Sequence, residues 1–144
     1  MLLCGIIKPH ALAHSEEILD ALISAEVKIH ETRPVRFTHE LIDILYDHMS
    51  DAARDAIGKR LIGLSGTSVL LEVSSIERLL EIVGRDSDPQ KCVGDSIRAR
   101  FGAHVPPTYV GEDMWWENAF HRPVDAREAA RDLLHIFSTQ ADSL

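Results

Sequence analysis

Eight histidines lie along this chain of 144 residues, and a neutral imidazole is the side chain best suited to act as nucleophile, base or ligand near neutral pH. The histidines lack the i, i+4 pairing with a glutamate that metal-hydrolase helices use. Cys4 and Cys92 lack the paired spacing of a zinc site or redox motif, so both are expected to be reduced core fillers. There is no glycine-rich phosphate loop of the Walker or dinucleotide kind, so a nucleotide would have to be held by side chains. That directs attention to Lys8, Arg98 and the histidines. Taken singly, each has an ordinary reading: Lys8 as a strand-end lysine, Arg98 as half of a surface ion pair, a given histidine as core or surface filling.

The elements that must position these groups follow from periodicity. Leu2 to Ile7 is a short apolar run closed by Lys8-Pro9 and reads as a buried strand. His14 to Ala25 reads as a helix, with Ile18, Leu19, Leu22 and Ile23 on one face and Ser15 placed to cap it. Val27 to Phe37 fits a second strand; Thr38 caps a helix carrying Leu41, Ile42, Leu45 and Met49; Asp51 to Leu61 continues as a more polar helix. Ser68 to Val73 is a third strand, and Ser74 or Ser75 caps a helix that ends at Gly84. Asp86 to Pro107 reads as loop or short helix, Trp115 to His121 as a last apolar segment, and Asp125 to Phe137 as a closing helix. The order β-α-β-α-β-α-β-α predicts an α+β sandwich of ferredoxin-like type, βαββαβ with extra helices on a four-stranded antiparallel sheet.

The length fits one domain, residues 1–144, with no visible linker or repeat. A formal charge of -8 argues against nucleic acid as the main partner. The apolar start is too short for a signal-peptide core or a bilayer span, so no membrane association and a soluble cytoplasmic location are expected.

Four ordered blocks then carry a resemblance. Ile6-Ile7-Lys8-Pro9-His10-Ala11, Ser87-Asp88-Pro89, Gly94-Asp95-Ser96-Ile97-Arg98 through Phe101-Gly102, and Asn118-Ala119-Phe120-His121 resemble the signature blocks of nucleoside diphosphate kinases. Tyr46 followed by His48, and Ser65-Gly66 before the third strand, extend the likeness from Leu2 to about Phe137. The resemblance implies transfer of the γ-phosphate of ATP or another triphosphate to nucleoside diphosphates by a ping-pong route, with His121 as the residue that becomes phosphohistidine. It implies that Lys8 binds the phosphates, Arg98 stabilises the transferring group, Tyr46 stands near the histidine, Ser87 contacts phosphate and Asn118 the ribose. Mg2+ would be bound through the nucleotide phosphates, without a protein carboxylate cluster, and a homo-oligomer (dimer, tetramer or hexamer) is implied. A catalytically impaired nucleotide-binding member, or a structural one, is the alternative within the family.

The departures from the family pattern are specific. His10 replaces an aspartate, and Arg122-Pro123 replaces Gly-Ser after the histidine. Asp132 falls where the family carries a glutamate that orients the histidine; one methylene shorter, it predicts a longer or water-bridged contact. A second phosphate-contacting arginine has no clean match: Leu80 stands nearest, with Arg78 and Arg85 as candidate substitutes. The phenylalanine that stacks on the base is missing, and Trp115 is the candidate to supply that surface or to pack a core or subunit contact. Ala103 to Glu117 is longer than the usual connection and predicts a projecting loop.

Overall fold

Strand β1 (Leu2–Ile7) is apolar at every position because both of its faces are covered. A computed structural model describes residues 1–102, 107–110 and 113–138, with the backbone alone at 108–110 and 138. In it Leu3 and Ile7 pack into one core cluster and Cys4 and Ile6 into another, as the two-residue period of a strand requires. The sheet adds β2 (Lys28–Arg36), β3 (Ser65–Glu72) and a two-residue strand β6 (Phe120–His121), in the order β2-β3-β1-β6 with every pair antiparallel. This is the expected ferredoxin-like α+β arrangement.

The first cluster lies under α1 (Ser15–Ser24) and α4 (Ile76–Val83), which bury Ile18, Leu22, Leu79, Ile82 and Val83. The second lies under α2 (His39–Leu45), α3 (Asp51–Leu61) and a π-helical turn at Leu133–Ser138, through Leu41, Ile42, Leu45, Ile57, Leu61, Ile136 and Phe137. Thr38, Ser50 and Ser75 cap α2, α3 and α4 by accepting backbone N–H groups of Leu41, Ala53 and Arg78. Gly84 ends α4 at φ 121°, a conformation open to glycine at little steric cost.

Several expectations shift in detail. Ser15 does not cap α1: a 3-10 helix at Pro9–His14 runs into it, and the Ser15 hydroxyl donates back to the Leu12 carbonyl at 2.7 Å. Strand β3 starts at Ser65, three residues before the Val- and Leu-rich run, because pairing with both neighbours outweighs the weak strand preference of Gly66. Pro34 is accommodated because β2 is a sheet edge. The closing helix is α only over α6 (Ala126–Asp132) and widens into the π-turn directly afterwards. A short helix α5 (Ile97–Phe101) lies inside the region read as loop or short helix.

Part of the segment expected to project instead forms a hairpin, β4 (Thr108–Val110) with β5 (Asp113–Trp115). It packs on α3 and is tied down by the Ser50 N–H and hydroxyl on Asp113 Oδ2 and by an Arg60–Glu117 ion pair at 3.2 Å. Residues 103–106 and 111–112 of that segment lie outside the described residues.

Gly5 sets where β6 can sit. A Cβ there would stand 2.4 Å from the Phe120 ring and 3.2 Å from the His121 carbonyl. Mid-strand Gly→Ala ordinarily stabilises by limiting the unfolded chain. Here Gly5→Ala is expected to cost about 1–3 kcal/mol in urea unfolding through overpacking, and a neutral or stabilising result would contradict the close approach of β1 and β6.

Candidate active site

The site is assembled on the shortest strand. In β6, Phe120 points into the first core cluster, so alternation turns His121 to the other face, toward α6. The turn before it is tight: the Phe120 N–H donates to the Asn118 carbonyl at 2.9 Å across Ala119, which sits at φ 73°. This is the rarer, strained form of γ-turn, worth on the order of 1–3 kcal/mol of stored strain. Three neighbours hold it. Lys8 N–H donates to the Ala119 carbonyl at 2.8 Å, His10 Nε2 accepts the Ala119 N–H at 3.0 Å, and Arg98 donates through Nε and Nη2 to the Phe120 carbonyl at 3.2 and 3.0 Å. Burial, helped by the nearby Lys8 charge, lowers His10 to about 4, which keeps it the neutral acceptor this contact needs.

His121 Nε2 lies 2.8 Å from Asp132 Oδ2. The longer or water-bridged contact expected from the shorter side chain is therefore corrected: Asp132, 0% exposed in α6, reaches the ring directly. Its other oxygen accepts from Arg131 Nε at 2.9 Å and pairs with Nη2 at 2.8 Å, and Arg131 Nη1 lies 3.5 Å from Asp47. A carboxylate so paired only accepts, so Nε2 carries the proton and Nδ1 keeps its lone pair. Nδ1 makes no hydrogen bond among the described residues. Burial lowers the His121 pKa, and the Asp132 carboxylate offsets part of that shift. The ring is thus neutral in the range where its nucleophilicity is needed.

Around His121 lies a pocket of about 280 Å³ lined by Lys8, Tyr46, Ser87, Arg98, Trp115, Asn118 and Arg122, among others. Three of these are buried cations: Lys8 is 3% exposed, Arg98 4% and Arg122 6%. Lys8 Nζ donates to Asn118 Oδ1 at 2.7 Å and lies 5.6 and 6.0 Å from the centres of the Trp115 and Tyr46 rings. Burial and the charges of Arg98 and Arg122 pull the Lys8 pKa well below its ordinary value. Arg98 is lowered to about 9 by burial and by Arg122, and remains cationic at neutral pH. Asn118 Nδ2 donates to the Ser87 carbonyl at 3.0 Å, fixing the loop whose exposed Ser87 hydroxyl rims the pocket. Trp115 Nε1 donates to Tyr46 Oη at 3.0 Å in an edge-on pair, and burial raises Tyr46 to about 12, so this wall is a neutral donor and acceptor.

The structure thus gathers Lys8, Tyr46, Ser87, Arg98, Trp115, Asn118 and His121 around one pocket, with Asp132 behind the histidine. It does not bring Arg85 in: that side chain is exposed and paired with Glu77 at 2.9 Å and Glu81 at 3.5 Å. Arg78 is likewise paired with Glu81, at 3.1 Å. Three contributors were not singled out as site residues from the sequence. They are Arg122, the residue after His121; His10, which buttresses the turn; and Arg131, beside Asp132. Two of these positions were visible as departures from the family pattern, which was the available signal. Among the described residues no cluster of three His, Cys, Asp or Glu side chains could hold a metal ion, and no helix is long and apolar enough to cross a membrane.

The nucleoside diphosphate kinase family model matches residues 3–141. No curated protein is similar enough in sequence to match the chain. Solved structures are similar over nearly its whole length. The nucleoside diphosphate kinase of Aquifex aeolicus is 26% identical with a TM-score of 0.75, covering 96% of both chains. That of Borrelia burgdorferi, solved as a transition-state mimic with vanadate and ADP, is 17% identical with a TM-score of 0.75, covering 95% of this chain and 86% of its own. The halophilic enzyme of Halobacterium salinarum, in complex with CDP, is 15% identical with a TM-score of 0.76, covering 95% and 87%.

Because Asp132 already reaches His121 and is fully buried, restoring the family's glutamate does not improve the contact. Asp132→Glu is expected to lose about 1–3 kcal/mol of stability from the added methylene, measured by chemical denaturation. A more stable variant would place Asp132 short of its partner.

Proposed function

The chain belongs to the nucleoside diphosphate kinase family, and on that premise we propose that it transfers the γ-phosphate of ATP or another nucleoside triphosphate to nucleoside diphosphates through a phosphohistidine on His121. One observation carries this reading: a neutral imidazole with its Nε2–H held by Asp132 faces a pocket in which three cations are buried with no paired carboxylate among the described residues. Such a pocket favours a polyanion, and the lone pair of Nδ1 is the available nucleophile.

In the first half-reaction Nδ1 attacks the γ-phosphorus in line with the bridging oxygen to the β-phosphate. The P–O bond breaks as the N–P bond forms, and the diphosphate leaves with the bridging oxygen's electron pair. The ring gains positive charge, which the Asp132 carboxylate stabilises across the 2.8 Å contact. Lys8 and Arg98 supply fixed charge toward the equatorial oxygens as these turn more negative. In the second half-reaction a β-phosphate oxygen of the acceptor attacks the same phosphorus, the N–P bond breaks, and neutral His121 is restored.

Mg2+ fits this site only as a passenger of the nucleotide. The buried cations repel a bare metal ion, and phosphate oxygens would hold it; when bound it would neutralise phosphate charge and fix its geometry. Asn118 is the candidate ribose contact and Ser87 a candidate phosphate contact. Trp115, tied to Tyr46, is a wall against which a base can lie. ADP and CDP bound to the relatives support a diphosphate acceptor of broad base identity. One domain, a homo-oligomer and a cytoplasmic location with access to nucleotide pools complete the proposal.

Mixing the protein with ATP and Mg2+ is expected to add one acid-labile phosphoryl group to the intact mass, discharged by a different nucleoside diphosphate as the matching triphosphate. His121→Ala should abolish the gain with the fold intact. Because the His121 pKa is lowered, phosphorylation should persist as pH falls through 6.5, the ordinary value, and decline only below it. Bound ATP with no phosphoryl gain would replace this reading with that of a nucleotide-binding member that does not transfer.

A further inference from the structure

Arg122 stands where the family pattern has a glycine, and its guanidinium is only partly employed. Nη2 donates to the carbonyls of Gly84 and Arg85, both at 3.0 Å, which anchors one corner of the fork. Nε is buried and has no hydrogen-bond partner, and Nη1 makes no hydrogen bond among the described residues. A buried N–H left unpaired costs on the order of 1–3 kcal/mol, so a purely structural clamp on two carbonyls would be an expensive use of an arginine. Glu128 also lines the pocket, but its carboxylate accepts the Val124 N–H and lies 4.0 Å from Arg127 and Arg131, forming no ion pair with Arg122. Pro123, buried and next in sequence, restricts Arg122 to extended backbone and holds the anchored fork in place.

Arg122 lines the same pocket as Lys8, Arg98 and His121. The family's second phosphate-contacting arginine finds Leu80 at its aligned position, and the two nearby arginines, Arg78 and Arg85, are taken by glutamates. We infer that Arg122 is a phosphate-binding residue of this site, donating to an oxygen of the bound polyphosphate from the part of its guanidinium that the Gly84 and Arg85 carbonyls leave free. The inference rests on the proposed nucleotide site and adds a specific residue to it. The loop carbonyls of Gly84 and Arg85 then act as positioning groups, because they fix the fork that contacts the anion.

Inorganic tripolyphosphate tests this without a base, a ribose or transfer. Calorimetric titration of the full chain is expected to give a Kd about 10- to 100-fold weaker for Arg122→Gln than for the unmodified protein, the loss associated with one hydrogen bond to a charged group. Arg122→Lys, which keeps a charge and a donor for the carbonyls but loses the fork, provides a second folded variant and is expected to be about tenfold weaker. Arg78→Ala, at an exposed pair with Glu81, is expected to leave Kd unchanged. A purely structural Arg122 would lower the Tm of either folded variant while leaving Kd at its original value, and that result overturns the inference. Absence of tripolyphosphate binding by the unmodified protein also overturns it. Binding that depends on Arg122 in a protein that never forms phosphohistidine would sustain the inference and overturn phosphoryl transfer instead.

Discussion

The hydrogen bond from His121 Nε2–H to Asp132 is the contact around which the molecule is organised. It joins the edge strand β6 to helix α6, fixes the imidazole tautomer and leaves Nδ1 as the only lone pair on the ring. Neither partner could do this from a mobile element. β6 has only two residues, so its position depends on the pairing of Ile6 with His121 and Ile7 with Phe120, on the absence of a side chain at Gly5, and on the Arg98 fork at the Phe120 carbonyl. Asp132 is held from behind by Arg131, whose charge compensates a carboxylate that would otherwise be costly at zero exposure.

The rest of the pocket runs against stability. Lys8, Arg98 and Arg122 are buried with like charges as neighbours, and repulsion between close pairs at an effective protein dielectric is on the order of a few kcal/mol. Carbonyl and amide oxygens solvate the cations in place of carboxylates, so their charge stays available to a ligand. Ala119 adds strain beside the histidine. The two apolar clusters flanking the sheet offset these costs, and anion binding relieves the repulsion. A protein built this way gains stability from its ligand with the logarithm of ligand concentration relative to Kd.

How much of this was legible in the sequence depended on range. β1 and α3 lie where periodicity placed them because their signals are local and strong. The four-stranded ferredoxin-like order followed from the alternation of elements. β6 could be read only as part of an apolar segment, since two residues carry no period, and the hairpin at Trp115 depends on contacts with α3 that local pattern does not encode. His121, Lys8, Arg98, Asn118 and Ser87 were legible through motif order. Arg85 stands near Leu80 in the chain, as a substitute for the missing arginine would, but Glu77 and Glu81 on the preceding helix capture its side chain. Arg122 was visible as an unusual residue, yet its burial and free Nε are properties of the folded loop. Side-chain length alone does not set the His121–Asp132 contact, because the approach of α6 to β6 makes up for the shorter carboxylate.

The central claim is that His121 is a neutral imidazole protonated on Nε2 and open at Nδ1. Nitrogen NMR of protein labelled with 15N-histidine at about pH 7 reads this directly. The account predicts a His121 spectrum with one protonated nitrogen, Nε2, and an unprotonated Nδ1 that becomes the phosphorylated atom when ATP is added. A proton on Nδ1, a doubly protonated ring at that pH, or phosphate attached to Nε2 would contradict it.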